Sequence, residues 1–290
     1  MSTPPFLEPP PRTRAGHLDT DRGRFAVLDA PAAPGADSRA TPPSTALLVP
    51  GYTGSKEDFI AVLGPLTARD HRVVAIDQRG QYQTPGPDTP EAYTVEELAR
   101  DVLAVAAALD GGPIHLLGHS FGGLVARAAA LAEPASVRSL TVMGSGPAAV
   151  TGREADRLRH LLDALPVMGL PAIWQAMKAA DAAAGSRPPT DPGVAAFLEQ
   201  RFLANATAGL VGMGRALLGE PDRIADLLAL GLPTLVTYGA DDYVWAPTLQ
   251  AEMADRLGAR CAAIAGAGHS PAVERPAETA AALAEFWRAT

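Results

Sequence analysis

The segment Gly118-His119-Ser120-Phe121-Gly122-Gly123 constrains this chain more than any other. It follows the apolar run Ile114 to Leu117, which reads as a strand. It precedes a helical pattern from Leu124 to Ala132 that Pro134 ends. A Gly-x-Ser-x-Gly between a strand and a helix is a nucleophile elbow. The turn is so tight that side chains at the glycine positions collide, and it lifts the serine hydroxyl above the sheet. It also sets the Phe121 N–H at a helix N-terminus, where developing negative charge is favoured.

The rest of the chain is organised around that unit. Short apolar runs at 24–28, 46–49, 73–76, 114–117, 137–143, 234–238 and 260–264 read as strands, and runs of this kind suit a parallel sheet covered on both faces. Helical patterns lie between them. Val95 to Leu109 starts with Thr94 as cap and Glu97 three residues on, and Gly111-Gly112-Pro113 stops it. Further helices are expected at 247–257 and 277–288. The alternation implies an α/β class fold with a doubly wound, mostly parallel sheet. It breaks after Gly144-Ser145-Gly146-Pro147. From 148 to 230 helix follows helix, punctuated by Pro166, Pro171, Pro188, Pro189, Pro192 and Pro221, which reads as an inserted helical cap. The core is then 23–147 plus 231–290. Residues 1–22, rich in Pro, Arg and Asp, read as a loose tail, and 30–43 as a turn or loop. At 290 residues, 47% hydrophobic, the chain buries a sizeable core, and with only 5% aromatics that core rests on Ala, Val and Leu.

A serine hydroxyl needs a base. Of six histidines, His17 is in the tail, His71 approaches a strand, His115 lies inside one, His119 sits beside Ser120 and points elsewhere, and His160 is in the cap. His269, in Gly266-Ala267-Gly268-His269-Ser270-Pro271, lies on a loop after the last strand, where open α/β sheets place their sites. The chain order Ser, acid, His also selects it. The base needs an acceptor that fixes its tautomer. Asp241 and Asp242 compete in the loop after the strand 234–238; Asp242, three residues after Gly239, is the choice, with Asp241 a turn residue bonding local backbone. A second oxyanion donor beside Phe121 is expected at the N–H of Tyr52, in Pro50-Gly51-Tyr52-Thr53-Gly54-Ser55. Asp77 and Arg79 of Asp77-Gln78-Arg79-Gly80 read as loop-pinning residues.

Other classes are disfavoured. A net charge of -8 and a pI near 5.2 leave no basic stripe for nucleic acid. The N-terminus lacks the basic start and apolar stretch of a secretory signal, and no run approaches membrane-spanning length, so the cytoplasm is the expected location. The single Cys261 makes no internal disulfide and is expected to be packed in a buried strand. No ligand cluster or phosphate loop appears, so neither metal nor organic cofactor is expected. The oligomeric state is not legible.

Taken in order, the Pro50, Asp77, Gly118, Gly239 and Gly266 motifs make residues 24–289 resemble the α/β-hydrolase superfamily, in its capped serine esterase and lipase-like branch. Many relatives carry His-Gly where this chain has Pro50-Gly51, so a side chain that often anchors that loop is missing. A serine at the elbow argues against the epoxide hydrolase and dehalogenase branches, which use aspartate there. The resemblance implies acyl transfer: Ser120 attacks, His269 moves the proton, Asp242 holds His269, and Tyr52 and Phe121 stabilise the oxyanion. The expected substrate is a small or medium apolar ester, with Trp174 and Phe202 of the cap and Trp245 after the acid loop as candidate pocket residues. The alternatives are a carbon–carbon bond hydrolase or a peptidase on the same fold and, in another class, a ligand sensor that retains the triad.

Overall fold

The computed structural model describes residues 1–33, 44–109, 112–183, 185 and 189–290. Every apolar run expected as a strand is one. In chain order the strands are β1 (Arg14–Thr20), β2 (Gly23–Ala30), β3 (Ser44–Val49), β4 (His71–Ile76), β5 (Ile114–His119), β6 (Val137–Met143), β7 (Thr234–Gly239) and β8 (Arg260–Ile264). They form one sheet in the order β1-β2-β4-β3-β5-β6-β7-β8. The β1–β2 and β2–β4 pairs are antiparallel, and all other pairs are parallel. The inner parallel strands β3, β5, β6 and β7 are buried along most of their length because helices cover both faces.

The helices are α1 (Ile60–Thr67), α2 (Val95–Ala108), α3 (Phe121–Ala132), α4 (Gly152–Ala164), α5 (Leu170–Ala183), α6 (Pro192–Leu203), α7 (Thr207–Gly219), α8 (Ile224–Ala229), α9 (Pro247–Leu257), α10 (Pro271–Glu274) and α11 (Pro276–Arg288). One face of the sheet packs on α2, α3, α8 and α9, the other on α1 and α11. Leu47, Leu48 and Val49 of β3 are fully buried. Each such side chain contributes about 1.5–3 kcal/mol relative to exposure. The Thr94 hydroxyl caps α2 by accepting from the Glu97 N–H. Helices α4 to α8 separate β6 from β7, and α5, α6 and α7 share an apolar core of their own. Among the described residues no helix is long and apolar enough to cross a membrane.

Three expectations need correction. Residues 1–22 are not all a loose tail, because residues 14–20 pair with β2 over seven positions. β1 is an edge strand exposed on both faces, so it carries no apolar alternation to read. Ahead of it, Ser2 and Pro4 are packed against the body of the protein: the Ser2 carbonyl accepts from Arg201, and Pro4 is buried. Cys261 is exposed, since β8 is the opposite edge. Finally, α1 has no counterpart in the sequence reading. It is apolar on nearly every side and holds Pro65, so it shows neither an amphipathic stripe nor an uninterrupted pattern. Residues 34–43 of the expected loop, Gly111 of the expected helix stop, and Pro188 lie outside the described residues.

Candidate active site

Ser120 stands between the end of β5 and the start of α3 with φ 54° and ψ −121°. That is a left-handed conformation of the kind that costs about 1–3 kcal/mol in a residue with a side chain. Close packing enforces it. A Cβ on Gly118 would lie 2.0 Å from the Gly122 carbonyl, and one on Gly122 would lie 2.4 Å from that of Val49. The elbow therefore needs glycine on both sides of the serine.

Three loops at the C-terminal ends of the parallel strands bring the expected residues together. His269 Nε2 is 3.0 Å from Ser120 Oγ, and His269 Nδ1 is 3.0 Å from Asp242 Oδ1. A carboxylate only accepts, so Nδ1 carries the proton and the Nε2 lone pair faces the serine hydroxyl. Asp242 is buried and also accepts from the Val244 N–H at 2.9 Å and from Gln250 Nε2 at 2.9 Å. Burial pushes its pKa up, but the four-way combination of His269 hydrogen bond, His269 charge, Val244 and Gln250 outweighs it and holds the carboxyl below its ordinary range. Asp241 is exposed; its backbone N–H, not its carboxylate, ties the loop to the Ala267 carbonyl.

Of the two expected oxyanion donors, Phe121 follows Ser120 in the chain, and Tyr52 follows Gly51, which packs against Ser120. Phe121 opens α3, so its N–H is among the helix amides with no intrahelical acceptor. Gly51, before Tyr52, lies against Ser120: a Cβ there would be 3.1 Å from Ser120 Cβ and 3.5 Å from Oγ. The Tyr52 hydroxyl donates to the Leu210 carbonyl of α7 at 2.6 Å, which joins this loop to the helical insertion.

Several supporting residues were not found by sequence reasoning. His119 does not merely point away; its Nε2 donates to the His269 carbonyl at 2.8 Å. Burial, then the charge of His269, lowers its pKa to about 3, so it is a neutral donor. Glu274 of α10 accepts from the Gly268 N–H at 2.6 Å and the Ser270 N–H at 2.9 Å, bracketing His269. Gln78 and Gln81 bond the carbonyls of the Pro50–Tyr52 loop. Each of these contacts joins a side chain to a backbone group that is remote in three of the four cases, and no spacing rule announces such a pair. Asp77 and Arg79 do pin loops: Asp77 accepts from the Lys56 N–H and Nζ, and Arg79 pairs with Asp101.

A cavity of about 600 Å³ opens above Ser120 and His269. Its inner wall includes Leu158, Leu161, Ile173, Met177 and Trp245, while Glu154, Arg157, His160 and Asp181 lie towards solvent. Of the three expected pocket residues, Trp245 lines it. Trp174 and Phe202 do not. They stack on one another, ring centroids 5.5 Å apart, inside the core of the insertion. Helical spacing marks a buried face without saying whether protein or ligand covers it, and here protein does. A second hollow of about 560 Å³, lined by Arg12, Thr13, Arg14, Asp29, Pro31 and Arg72, lies apart from these groups. Among the described residues no group of three or more His, Cys, Asp or Glu is placed to hold a metal ion.

A protein of Variovorax paradoxus named for carbamate hydrolysis, RutD, is 35% identical over 222 residues, 73% of this chain and 79% of that protein. The pimeloyl-[acyl-carrier protein] methyl ester esterase of Edwardsiella ictaluri is 32% identical over 250 residues, 83% of this chain and 92% of the relative. The crystal structure of a hydrolase from Pseudomonas aeruginosa superposes with a TM-score of 0.75 at 27% identity, covering 94% of this chain and 98% of that one. The family profile described as the alpha/beta hydrolase family matches residues 46–282, a span that holds the elbow, the Asp242 loop and the His269 loop, and the chain belongs to that family.

Proposed function

We propose that this protein is a serine hydrolase that cleaves a small or medium apolar carboxylic ester through an acyl-enzyme. One observation carries the reading: the continuous hydrogen-bond chain Ser120–His269–Asp242 at the floor of a largely apolar cavity. Ser120 Oγ attacks the ester carbonyl while His269 Nε2 takes its proton. The carbonyl oxygen becomes an oxyanion facing the N–H groups of Tyr52 and Phe121. His269 then protonates the leaving alcohol as the C–O bond breaks. Water, deprotonated by the same nitrogen, attacks the acyl-enzyme and releases the acid with Ser120 restored. Asp242 keeps the imidazole in the required tautomer and offsets the imidazolium charge.

A carbamate is the second reading, because it presents the same carbonyl and the Variovorax relative is named for that reaction. The test is a panel of p-nitrophenyl esters of increasing acyl length and one simple carbamate, run on the parent and on Ser120→Ala. Ester turnover that falls by 10³-fold or more, on the order expected for loss of a triad nucleophile, supports the reading. Fluorophosphonate labelling should fall on Ser120 and not on Ser145 or Ser270. Full activity in a folded Ser120→Ala, or labelling elsewhere, sinks it; turnover of the carbamate alone moves the substrate to the second reading.

A further inference from the structure

The loop that carries Tyr52 begins Pro50-Gly51, and proline brings no side-chain donor to hold the loop in place. The hold comes from a neighbouring loop. Gln81, fully buried, sends its Nε2 to the Gly51 carbonyl at 2.7 Å and to the Tyr52 carbonyl at 3.0 Å. Its Oε1 accepts from the Gln78 N–H at 3.1 Å. The orientation of this amide is dictated by its partners: reversed, it would face two carbonyl oxygens with an oxygen and an N–H with an NH₂. Gln78 Nε2 donates to the Pro50 carbonyl at 2.9 Å. Three successive carbonyls, 50 to 52, are thereby held by two glutamines.

We propose that Gln81 is the positioning residue of the oxyanion site, setting the direction of the Tyr52 N–H through the Gly51 carbonyl. This rests on the serine hydrolase reading above. The Gly51 C=O and the Tyr52 N–H belong to one planar peptide unit and, in the trans form present here, point in opposite directions. A donor fixed on the carbonyl side therefore fixes where the N–H aims on the other. It also polarises the unit, which strengthens the N–H as a donor. The peptide borders the nucleophile, as the approach of Gly51 to Ser120 requires. Gln81 is itself rigidly placed. Its N–H donates to the Gln78 carbonyl at 2.9 Å, and its carbonyl accepts from Thr84 at 2.8 Å. Asp77 then clamps the same two loops together through Lys56, by the backbone N–H at 2.8 Å and Nζ at 2.9 Å. The anchor that Pro50 cannot supply from within the loop is supplied across the gap between the β3 and β4 loops.

Gln81→Met keeps the length of the side chain and removes both donors. Mis-aiming one oxyanion donor by about 1 Å should lower kcat on the best p-nitrophenyl ester by about 10²-fold, with KM within about threefold of the parent. Affinity for a boronic acid that forms a tetrahedral adduct with Ser120 should fall by a similar factor, while affinity for the free carboxylic acid product should stay. That split separates aiming of the N–H from general damage, which weakens every ligand. Melting curves accompany the kinetics. If the Met variant is unfolded at the assay temperature, Gln81→Asn, which shortens the reach by one methylene, carries the same comparison. A folded variant with kcat within threefold of the parent overturns the proposal, as does an equal loss of affinity for boronic acid and product. Ser120→Ala is assayed beside them: residual full turnover there defeats the serine reading itself, whereas its expected loss beside an unaffected Gln81 variant defeats only the role of Gln81.

Discussion

Asp241 and Asp242 are neighbours of identical chemistry whose surroundings make them opposites. Asp242 is buried with three hydrogen-bond donors, one of them His269, while the Asp241 carboxylate faces solvent. The spacing after Gly239 selects Asp242, and the Asp242 carboxylate is the one in contact with His269. Asp242→Asn leaves His269 without the acceptor that selects its tautomer, and turnover should fall by up to about 10⁴-fold in a protein that still folds. Asp241→Asn, a surface change, should stay within about 0.5 kcal/mol of parental stability and retain its turnover. Ester kinetics paired with thermal melts check both; an inactive but folded Asp241→Asn would reverse the assignment. Residue-level reasoning failed for His119 and Glu274. They support His269 through its own backbone carbonyl and through the flanking N–H groups, and a backbone partner leaves no mark in the side-chain pattern.

The run of helices α4 to α8 was legible as a break in the strand–helix alternation, but which of its apolar residues meet protein and which line the cavity was not. Both sets recur at helical spacing. The structure places Trp174 and Phe202 in the insertion's own core and Met177 and Leu161 against the cavity. Trp174→Ala or Phe202→Ala should therefore cost about 3–5 kcal/mol of stability, as for other large aromatics truncated in a core, with little change in acyl-length preference. Met177→Ala should shift that preference towards longer acyl chains with a smaller effect on melting temperature. Urea unfolding and the ester panel separate the two; an altered length preference in Phe202→Ala without loss of stability would return that residue to the pocket. The insertion is also tied to the core near the site. Arg201 of α6, fully buried, pairs with Asp58 at 2.6 Å, and Tyr52 reaches Leu210 of α7. These contacts join α6 and α7 to the segment 52–58 beside the site.

Across the whole molecule, two buried histidines remote from Ser120 contribute to the response to acid. His71 and His115 are buried at the opposite ends of β4 and β5 from the site, packed with Trp287 of α11. Burial lowers their pKa values to about 4 and about 3, the first helped by Arg288 and the second by the charge of His71. In the unfolded chain both take up protons near pH 6.5. Between those limits the unfolded state binds more protons, so the stability these two groups contribute is complete above about pH 6.5, falls as pH drops towards 4, and is lost below about 3. Each group contributes a slope of up to about 1.4 kcal/mol per pH unit. His115→Phe keeps a ring beside Trp287 but cannot titrate. Urea unfolding between pH 6 and 4.5 should show a slope smaller by up to that amount in the variant; an unchanged slope would mean that His115 is not among the groups responsible.

What the sequence by itself determined is what depends on local order along the chain. The strand-to-helix turn at Ser120, the succession of buried strands and the run of helices after Pro147 follow from short-range sterics and apolar periodicity. What only the tertiary structure decided is what depends on contacts between distant backbones. The edge strand β1 is held by backbone hydrogen bonds that impose no side-chain pattern, and α1 is buried too evenly to show a stripe. The division of the insertion's aromatics between core and cavity depends on which surface meets them. The seating of the Tyr52 loop by Gln78 and Gln81 joins positions some thirty residues apart. Side-chain amides bonding to carbonyls satisfy a geometric demand that exists only once the two loops have been brought side by side.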